Sequence, residues 1–294
     1  MVKHLWIAIL IAGCSAPAPH YEVVHHRANG CDDLAPENSL QAARCIVEQC
    51  ARRAGPCAFE GDARIALVRG GSLGSDREVL WMHDGSSKRT AYCPTGDISL
   101  PGETPVDKEH LGRCRLVRYD GTPTEEIIPT LDDIIAVVTR TEVKLFLELK
   151  TNGDDAMDDA LVDGVMSKLA PIENHVVLAS FSLRALGRAK RARPAMPTAC
   201  FAPTGALLRQ ISRVVAGGIA EDVDSCLAAR HDHVFVPPPF LDGSVVSHVR
   251  ALHARLGVYG SETGTAYDQI EAWRHRIDVV YADHPRMYWP LHGE

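Results

Sequence analysis

The sequence predicts an α/β fold, a (β/α)₈ TIM barrel with one long insertion after its second barrel strand. Three observations carry that prediction. Eight short β-rich runs alternate with longer stretches of helical periodicity, the pattern of a parallel sheet wrapped in helices. The chain has 294 residues, and barrels of this kind commonly form one domain of roughly 250 residues. Charged side chains break into otherwise apolar strands near their C-terminal ends, the face on which a barrel gathers its functional groups.

The strands are expected over residues 21–26, 57–65, 143–149, 175–180, 198–201, 233–236, 256–260 and 278–282. Between them, helices are expected over 36–54, with Ser39 near the start, and over 131–139, behind Pro129-Thr130. Further helices follow over 155–169, 183–191, 207–215, 245–255 and 267–274. Residues 68–128 stand apart as the insertion, with a short strand over 79–82 and a loop over 90–119 that holds two cysteines and three prolines. Long ordered loops in compact domains usually serve function, and loops after barrel strands line the mouth, so this segment reads as a lid or substrate wall.

Composition narrows the partners. Hydrophobic residues make up 46% and charged residues 23%, which is ordinary for a globular protein. A net charge of −7 argues against a nucleic-acid partner, which would favour a basic face.

The N-terminus carries its own signal. Lys3 and His4 precede an apolar run from Leu5 to Ala12, too short for a comfortable membrane span and right for a signal-peptide core. The run ends Ile11-Ala12-Gly13-Cys14, which resembles the lipobox of bacterial lipoproteins. Residues 1–13 therefore read as a signal peptide, Cys14 as the lipidated residue, 14–20 as lipidated cysteine and tether, and 21–294 as the barrel. That implies an exported, membrane-anchored lipoprotein, periplasmic or at the cell surface. Setting Cys14 aside leaves eight cysteines, an even number that suits disulfides in an oxidising compartment. Cys93 with Cys114 and Cys200 with Cys226 are the expected pairs. Without a Cys-x-x-Cys spacing, zinc is disfavoured.

The chemistry-bearing residues come in short clusters. The first strand ends His25-His26-Arg27, and Pro36-Glu37-Asn38-Ser39 follows. The second strand contains Glu60-Gly61-Asp62, and alternation puts both acids on one face. The third ends Glu148-Leu149-Lys150, and His83-Asp84 follows the strand of the insertion. Neighbouring carboxylates repel one another and resist desolvation; a bound cation relieves both. An all-oxygen set of Glu60, Asp62 and Glu148 suits one divalent cation, Ca²⁺ or Mg²⁺. A structural ion pair of Glu60 and Asp62 with Arg64 or Lys150 is the bland alternative.

Taken in order, His26-Arg27-Ala28, Pro36-Glu37-Asn38-Ser39, Glu60-Gly61-Asp62, His83-Asp84 and Glu148-Leu149-Lys150 resemble the motif series of the glycerophosphodiester phosphodiesterases. Ile128-Pro129-Thr130-Leu131, Ser180-Phe181 and Asp283-His284-Pro285 extend the resemblance over almost the whole chain after the tether. The resemblance implies that Glu60, Asp62 and Glu148 hold the metal and that His26 and His83 form an acid–base pair. It further implies that Arg27 and Lys150 neutralise phosphate and that Glu37 supports the site by orienting Arg27 or a metal water. The substrate class would be a small-molecule or lipid-derived phosphodiester, with membrane contact through the N-terminal lipid. Which histidine is the base stays open.

Three positions depart from that pattern. Ala28 replaces a glycine, and a positive φ there would be strained. Ser39 replaces a threonine and keeps a capping hydroxyl. Val258-Tyr259-Gly260-Ser261-Glu262 stands where the family often has a Trp-Thr-Val-Asn run, with Tyr259 as a substitute aromatic wall and Glu262 adding negative charge near the mouth. Two other readings therefore stand beside glycerophosphodiester hydrolysis: a lipid phosphodiesterase of the phospholipase or sphingomyelinase D kind, and a surface-binding lipoprotein with a degenerate site. Elsewhere, the basic run of Arg184, Arg188, Lys190, Arg191 and Arg193 reads as a solvated helix face. His231-Asp232-His233 reads as loop and strand start, and Pro237-Pro238-Pro239 as a rigid turn.

Overall fold

The computed structural model describes residues 21–30, 35–52, 57–73, 76–101, 105–202, 218–260 and 264–283. The signal segment, Cys14 and the tether, Cys31, the helix expected over 207–215, Glu262 and the residues after Asp283 lie outside the described residues.

In chain order, β1 (Glu22–His25), α1 (Leu40–Ala51) and β2 (Ala58–Arg69) come first. The insertion supplies β3 (Arg77–Trp81), β4 (Ala91–Tyr92), β5 (Val106–Asp107), α2 (Lys108–Arg113) and β6 (Arg115–Leu116). Then come α3 (Leu131–Val138), β7 (Lys144–Leu149), α4 (Asp155–Lys168), β8 (Val176–Ser180), α5 (Leu183–Ala192) and β9 (Thr198–Phe201). The chain continues with α6 (Gly218–Ala228), β10 (His233–Val236), α7 (Gly243–Ala251), β11 (Arg255–Val258), α8 (Gly264–Ala272) and β12 (Val279–Ala282).

Eight of these strands run parallel in the order β1-β12-β11-β10-β9-β8-β7-β2, and β1 pairs back onto β2 through Val24↔Ala58 and His25↔Phe59. The sheet is thus a closed barrel, and all eight expected strands are present within a few residues of their predicted bounds. Helix starts follow local chemistry. Ser39 Oγ accepts from the Ala42 amide, Thr130 and Asp133 form a reciprocal capping box, and Asp154, Ser182 and Asp242 cap α4, α5 and α7. The first helix begins at Leu40 rather than residue 36 because Asn38 sits at φ 56°, in the left-handed region, where a helix cannot continue. No helix is expected between 215 and 233, yet α6 forms there.

Side-chain alternation sorts the barrel into layers. At the N-terminal end, Lys144 Nζ donates to both oxygens of buried Glu22 at 2.8 Å, and Arg255 Nη1 lies 3.2 Å from His233 Nε2. The middle is apolar: Val24, Ala58, Phe146, Val177, Ala199, Phe201, Phe235, Val279 and Tyr281 fill it. The apolar middle thus separates a small polar layer at the N-terminal end from the acids and histidines of the C-terminal rim. A second, larger core lies between the strands and the surrounding helices.

The insertion is ordered around a small core of its own. The strand β2 outgrows the barrel, and β3 pairs with its upper half antiparallel, Ala63↔Trp81 through Leu67↔Arg77. Leu80, Met82, Ile98, Leu100, Leu111, Leu116 and Ile128 pack together beneath it. Where a loop was expected over 90–119, the chain forms β4, β5, α2 and β6. The disulfide Cys93–Cys114 lies in that layer, and Cys200–Cys226 ties β9 to α6, both as expected. Cys50–Cys57 adds a clasp between α1 and β2, and Cys45 is disulfide-bonded as well.

The basic run on α5 is neutralised by neighbouring acids: Arg184 with Asp159 at 2.8 Å, Arg188 with Asp163 at 2.7 Å, Lys190 with Asp232 at 2.9 Å and Arg193 with Glu173 at 2.9 Å. Pro238–Phe240 forms a short 3₁₀ turn, in keeping with the rigid turn expected there. Among the described residues, no helix is long and apolar enough to cross a membrane.

Candidate active site

The rim is built from strand ends. Glu60 and Asp62 point inward from β2, while Phe59, Ala63 and Ile65 face the outer core. Register places Asp62 beside Glu148 of β7. All three acids are buried, and one carboxylate oxygen from each lies within 4.8 Å of the others. Ligands that share a hard cation sit about 2.0–2.6 Å from it, hence up to about 5 Å apart, so this spacing fits. Glu60 Oε1 is buried without a hydrogen-bond partner, the condition a divalent cation would satisfy.

Charge repulsion is written into the site. Burial, together with the charge of Asp62, pushes the Glu60 carboxyl up to about 8. Burial raises Glu148 too. Asp62 is desolvated as well, but Lys150, His83, Arg27 and the Asn38 amide hold it below the usual carboxylate range. Lys150 Nζ lies 3.2 Å from Asp62 Oδ1 and 2.8 Å from Glu148 Oε1, so this expected phosphate ligand is engaged with two of the acids. Arg64 instead donates to the His83 carbonyl at 2.7 Å. Asn38 Nδ2 donates to Asp62 Oδ2 at 2.8 Å, a role the sequence motif did not disclose.

The two histidines flank the acids in opposite states. His26 follows β1, its Nε2 4.0 Å from Glu60 Oε2 and its Nδ1 2.8 Å from Asp283 Oδ1. Burial disfavours its charged form, yet the Asp283 hydrogen bond and the charges of Glu60 and Asp283 outweigh that and raise it to about 9. His83 Nε2 lies 3.0 Å from Arg27 Nη2. A guanidinium can only donate, so that nitrogen is unprotonated and Nδ1 carries the hydrogen, donated to Asp84 Oδ1 at 2.7 Å. Burial, with Lys150 and Arg27 nearby, lowers His83 to about 4.

Local strain positions Arg27. Both Arg27 and Ala28 have positive φ, 51° and 57°, so the strain anticipated at Ala28 is present and shared by its neighbour. The turn aims the Arg27 amide at Glu60 Oε2, 2.8 Å away, while Arg27 Nη1 donates to Glu37 Oε2 at 3.3 Å. Glu37 therefore orients Arg27, one of the two supporting roles expected for it. Beside the site, Tyr259 packs against Phe201 and Phe181 with ring centroids 5.2 and 5.6 Å apart, and its hydroxyl donates to the Ala202 carbonyl.

Solved structures share this architecture. An Oleispira antarctica phosphodiesterase in complex with the product sn-glycerol-3-phosphate superposes with a TM-score of 0.67, at 21% identity, over 91% of this chain and 94% of that one. The chain has the fold of the glycerophosphodiester phosphodiesterases. A putative glycerophosphoryl diester phosphodiesterase from Silicibacter pomeroyi gives 0.68 at 17% identity, covering 92% of each chain. Another from Agrobacterium tumefaciens gives 0.67 at 16% identity, over 91% of this chain and 95% of that one. No protein-family model and no curated protein matches the sequence. The glycerophosphodiester phosphodiesterase fold places Glu60, Asp62, Glu148, His26, His83, Arg27, Lys150 and Glu37 around one rim. Asp283, Asp84 and Asn38 join them by hydrogen bonds.

Proposed function

We propose that the protein is a phosphoric diester hydrolase that cleaves glycerophosphodiesters to an alcohol and glycerol 3-phosphate, with one divalent cation, Ca²⁺ or Mg²⁺, held by Glu60, Asp62 and Glu148. The observation that carries the reading is the convergence of these three buried carboxylates beside two histidines in opposite hydrogen-bonding states. The product bound to the Oleispira antarctica phosphodiesterase supports the substrate class. A cation held by Glu60, Asp62 and Glu148 would supply positive charge to offset the charge that develops on the phosphate.

The protein's own groups do the rest. His83, neutral with a free-acceptor Nε2 once Arg27 turns to the phosphate, takes the proton of the attacking hydroxyl, either from water, giving glycerol 3-phosphate directly, or from the substrate's glycerol, giving a cyclic glycerol phosphate that water then opens. His26, charged and held by Asp283, gives a proton to the departing alkoxide. Arg27 leaves one neutral partner for an anion, which costs little. Lys150 limits repulsion between Asp62 and Glu148. Turnover of glycerophosphocholine and related diesters, with Ca²⁺ or Mg²⁺ and with a chelator, tests the reading. Failure to cleave any phosphodiester in the presence of metal overturns it, and activity surviving in His26→Ala or His83→Ala overturns the assigned roles.

Tyr92 and Tyr119 are exposed on the insertion, which favours a second reading in which lipid phosphodiesters are drawn from a surface. Cleavage of intact phospholipid in vesicles, in preference to soluble headgroup diesters, separates the two. We also propose export and lipid anchoring through Cys14; mass spectrometry of the mature N-terminus, if unmodified or starting elsewhere, removes the anchor.

A further inference from the structure

Five side chains from three chain segments close into one hydrogen-bonded ring. Arg27 Nη1 donates to Glu37 Oε2 at 3.3 Å, and Arg89 Nη2 donates to Glu37 Oε1 at 2.6 Å. Arg89 also grips Asp84 with two parallel bonds, Nε to Oδ2 at 2.7 Å and Nη2 to Oδ1 at 3.0 Å. Asp84 Oδ1 accepts from His83 Nδ1, and His83 Nε2 accepts from Arg27 Nη2, which returns the path to its start. With His83 neutral, two guanidinium groups and two carboxylates balance. With Nδ1 of His83 protonated and Nε2 unprotonated, each bond of the ring has a donor and an acceptor.

Arg89 is the member with no part in the chemistry as assigned above. It lies in the insertion, its side chain is 50% exposed, and it bridges two carboxylates that would otherwise repel each other. One of those carboxylates fixes Arg27 and the other fixes His83. Only a guanidinium offers the planar fork that grips Asp84 twice while reaching Glu37. The segment bearing it is itself secured: Ser87 N donates to the Ile98 carbonyl, Ala91 N to the Ser87 carbonyl and Val117 N to the Thr90 carbonyl, and Cys93–Cys114 crosses just beyond.

We infer that Arg89 is a positioning residue through which the insertion sets the tautomer and aim of His83 and the resting pose of Arg27. When an anionic phosphate draws Arg27 off His83 Nε2, the Arg89–Asp84 fork keeps Nδ1–H engaged, so Nε2 is freed as an acceptor with its orientation unchanged. Arg89 touches neither the three acids nor His26. Its effect on turnover therefore runs through His83, and this part of the inference rests on the proposed hydrolysis.

Arg89→Ala, Arg89→Lys and wild type are compared in two measurements, with circular dichroism confirming the fold; should Arg89→Ala not fold, Arg89→Gln takes its place. In steady-state kinetics, Arg89→Ala is expected to lose about 10- to 100-fold in kcat, the scale of losing a partner that orients a reactive imidazole, with KM changed less than about threefold. Arg89→Lys recovers only part, and added methylguanidinium raises the rate of Arg89→Ala but not of wild type. In ¹⁵N-imidazole NMR at neutral pH, with His83 assigned by its disappearance in His83→Gln, wild type shows the Nδ1–H tautomer, and Arg89→Ala shows a tautomer mixture. An unchanged tautomer in Arg89→Ala overturns the inference, as does a rise in KM at constant kcat, which marks direct substrate contact. If wild type cleaves no phosphodiester, the hydrolase reading fails by itself, and the NMR comparison still decides whether Arg89 sets the tautomer.

Discussion

His26 Nδ1 and Asp283 Oδ1 lie 2.8 Å apart although 257 positions separate them in the chain. They meet because β1 and β12 are neighbours in the closed barrel, with His25 in register with Ala282. The bond fixes the ring so that Nε2 looks toward Glu60, and it stabilises the charged form of the imidazole. Asp283→Ala is expected to lower kcat about 10- to 100-fold, with a smaller effect for Asp283→Asn, whose amide oxygen can still accept from Nδ1. Steady-state kinetics on the two variants checks this; equal losses in both would show that charge rather than ring orientation is what Asp283 supplies.

Glu60 shows what the site costs without a cation. Its carboxyl, pushed up to about 8 by burial and Asp62, is charged at high pH only against repulsion. A group raised above its unfolded value weakens the fold as pH rises from that unfolded value through the folded one. Glu60→Gln is therefore expected to raise the melting temperature of the metal-free protein at pH 8 while abolishing the rise that Ca²⁺ or Mg²⁺ gives wild type. A cation at about a hundred times its Kd contributes about 2.7 kcal/mol to a native state that alone binds it. Thermal melts with and without metal give both numbers, and a Glu60→Gln variant still stabilised by metal would remove Glu60 from the ligand set.

Much of this was readable from residue order. The eight strands announce themselves as short apolar runs between helical stretches, and strand parity places Glu60 with Asp62, and Glu148 with Lys150, on one face of each strand; register then sets Asp62 beside Glu148. Sequence offers an ion pair of Lys150 with the β2 acids only as an alternative to phosphate binding, and the structure shows Lys150 between Asp62 and Glu148. Sequence did not reveal Arg89. That residue lies between the strand expected over 79–82 and the loop expected over 90–119, and it joins Asp84 nearby to Glu37, 52 positions away. Asp283 was visible as a motif without a role, since only barrel closure brings it to His26. The insertion's small core escaped notice for a similar reason: its apolar residues are spaced too irregularly for either helical or strand periodicity.

Gly61, between the two acids of β2, answers to packing. A Cβ built there would lie 1.9 Å from Trp81 Cζ2, so the indole rests directly on the strand backbone. Trp81 is fully buried and cannot retreat. Gly61→Ala is expected to destabilise the fold by about 1–3 kcal/mol, the usual scale of overpacking, and to misplace Glu60 and Asp62 together. Urea unfolding measures the first effect and calorimetric cation binding the second. Normal metal affinity in a destabilised variant would show that the strand absorbs the clash without moving its carboxylates.

Part of the acid sensitivity should come from the opposite end of the barrel, beside the share of His83, which burial also lowers to about 4. His231 and His233 are buried, with 4% and 5% of their surface exposed. Burial and the Lys190 charge lower His231 to about 4, and burial with Arg255 lowers His233 to about 4. Asp232, close to both, opposes the shift without cancelling it. In the unfolded chain a histidine protonates near 6.5. Between pH 6.5 and 4 the unfolded state therefore binds protons that the native state refuses, and stability falls as pH falls. Each depressed unit is worth about 1.4 kcal/mol, so the two residues together remove several kcal/mol across that window. Urea midpoints taken with chelator at pH 7.5 and pH 5 should separate clearly in wild type and draw together in His231→Gln and in His233→Gln. A midpoint difference as large in both variants as in wild type would place the acid-sensitive groups elsewhere.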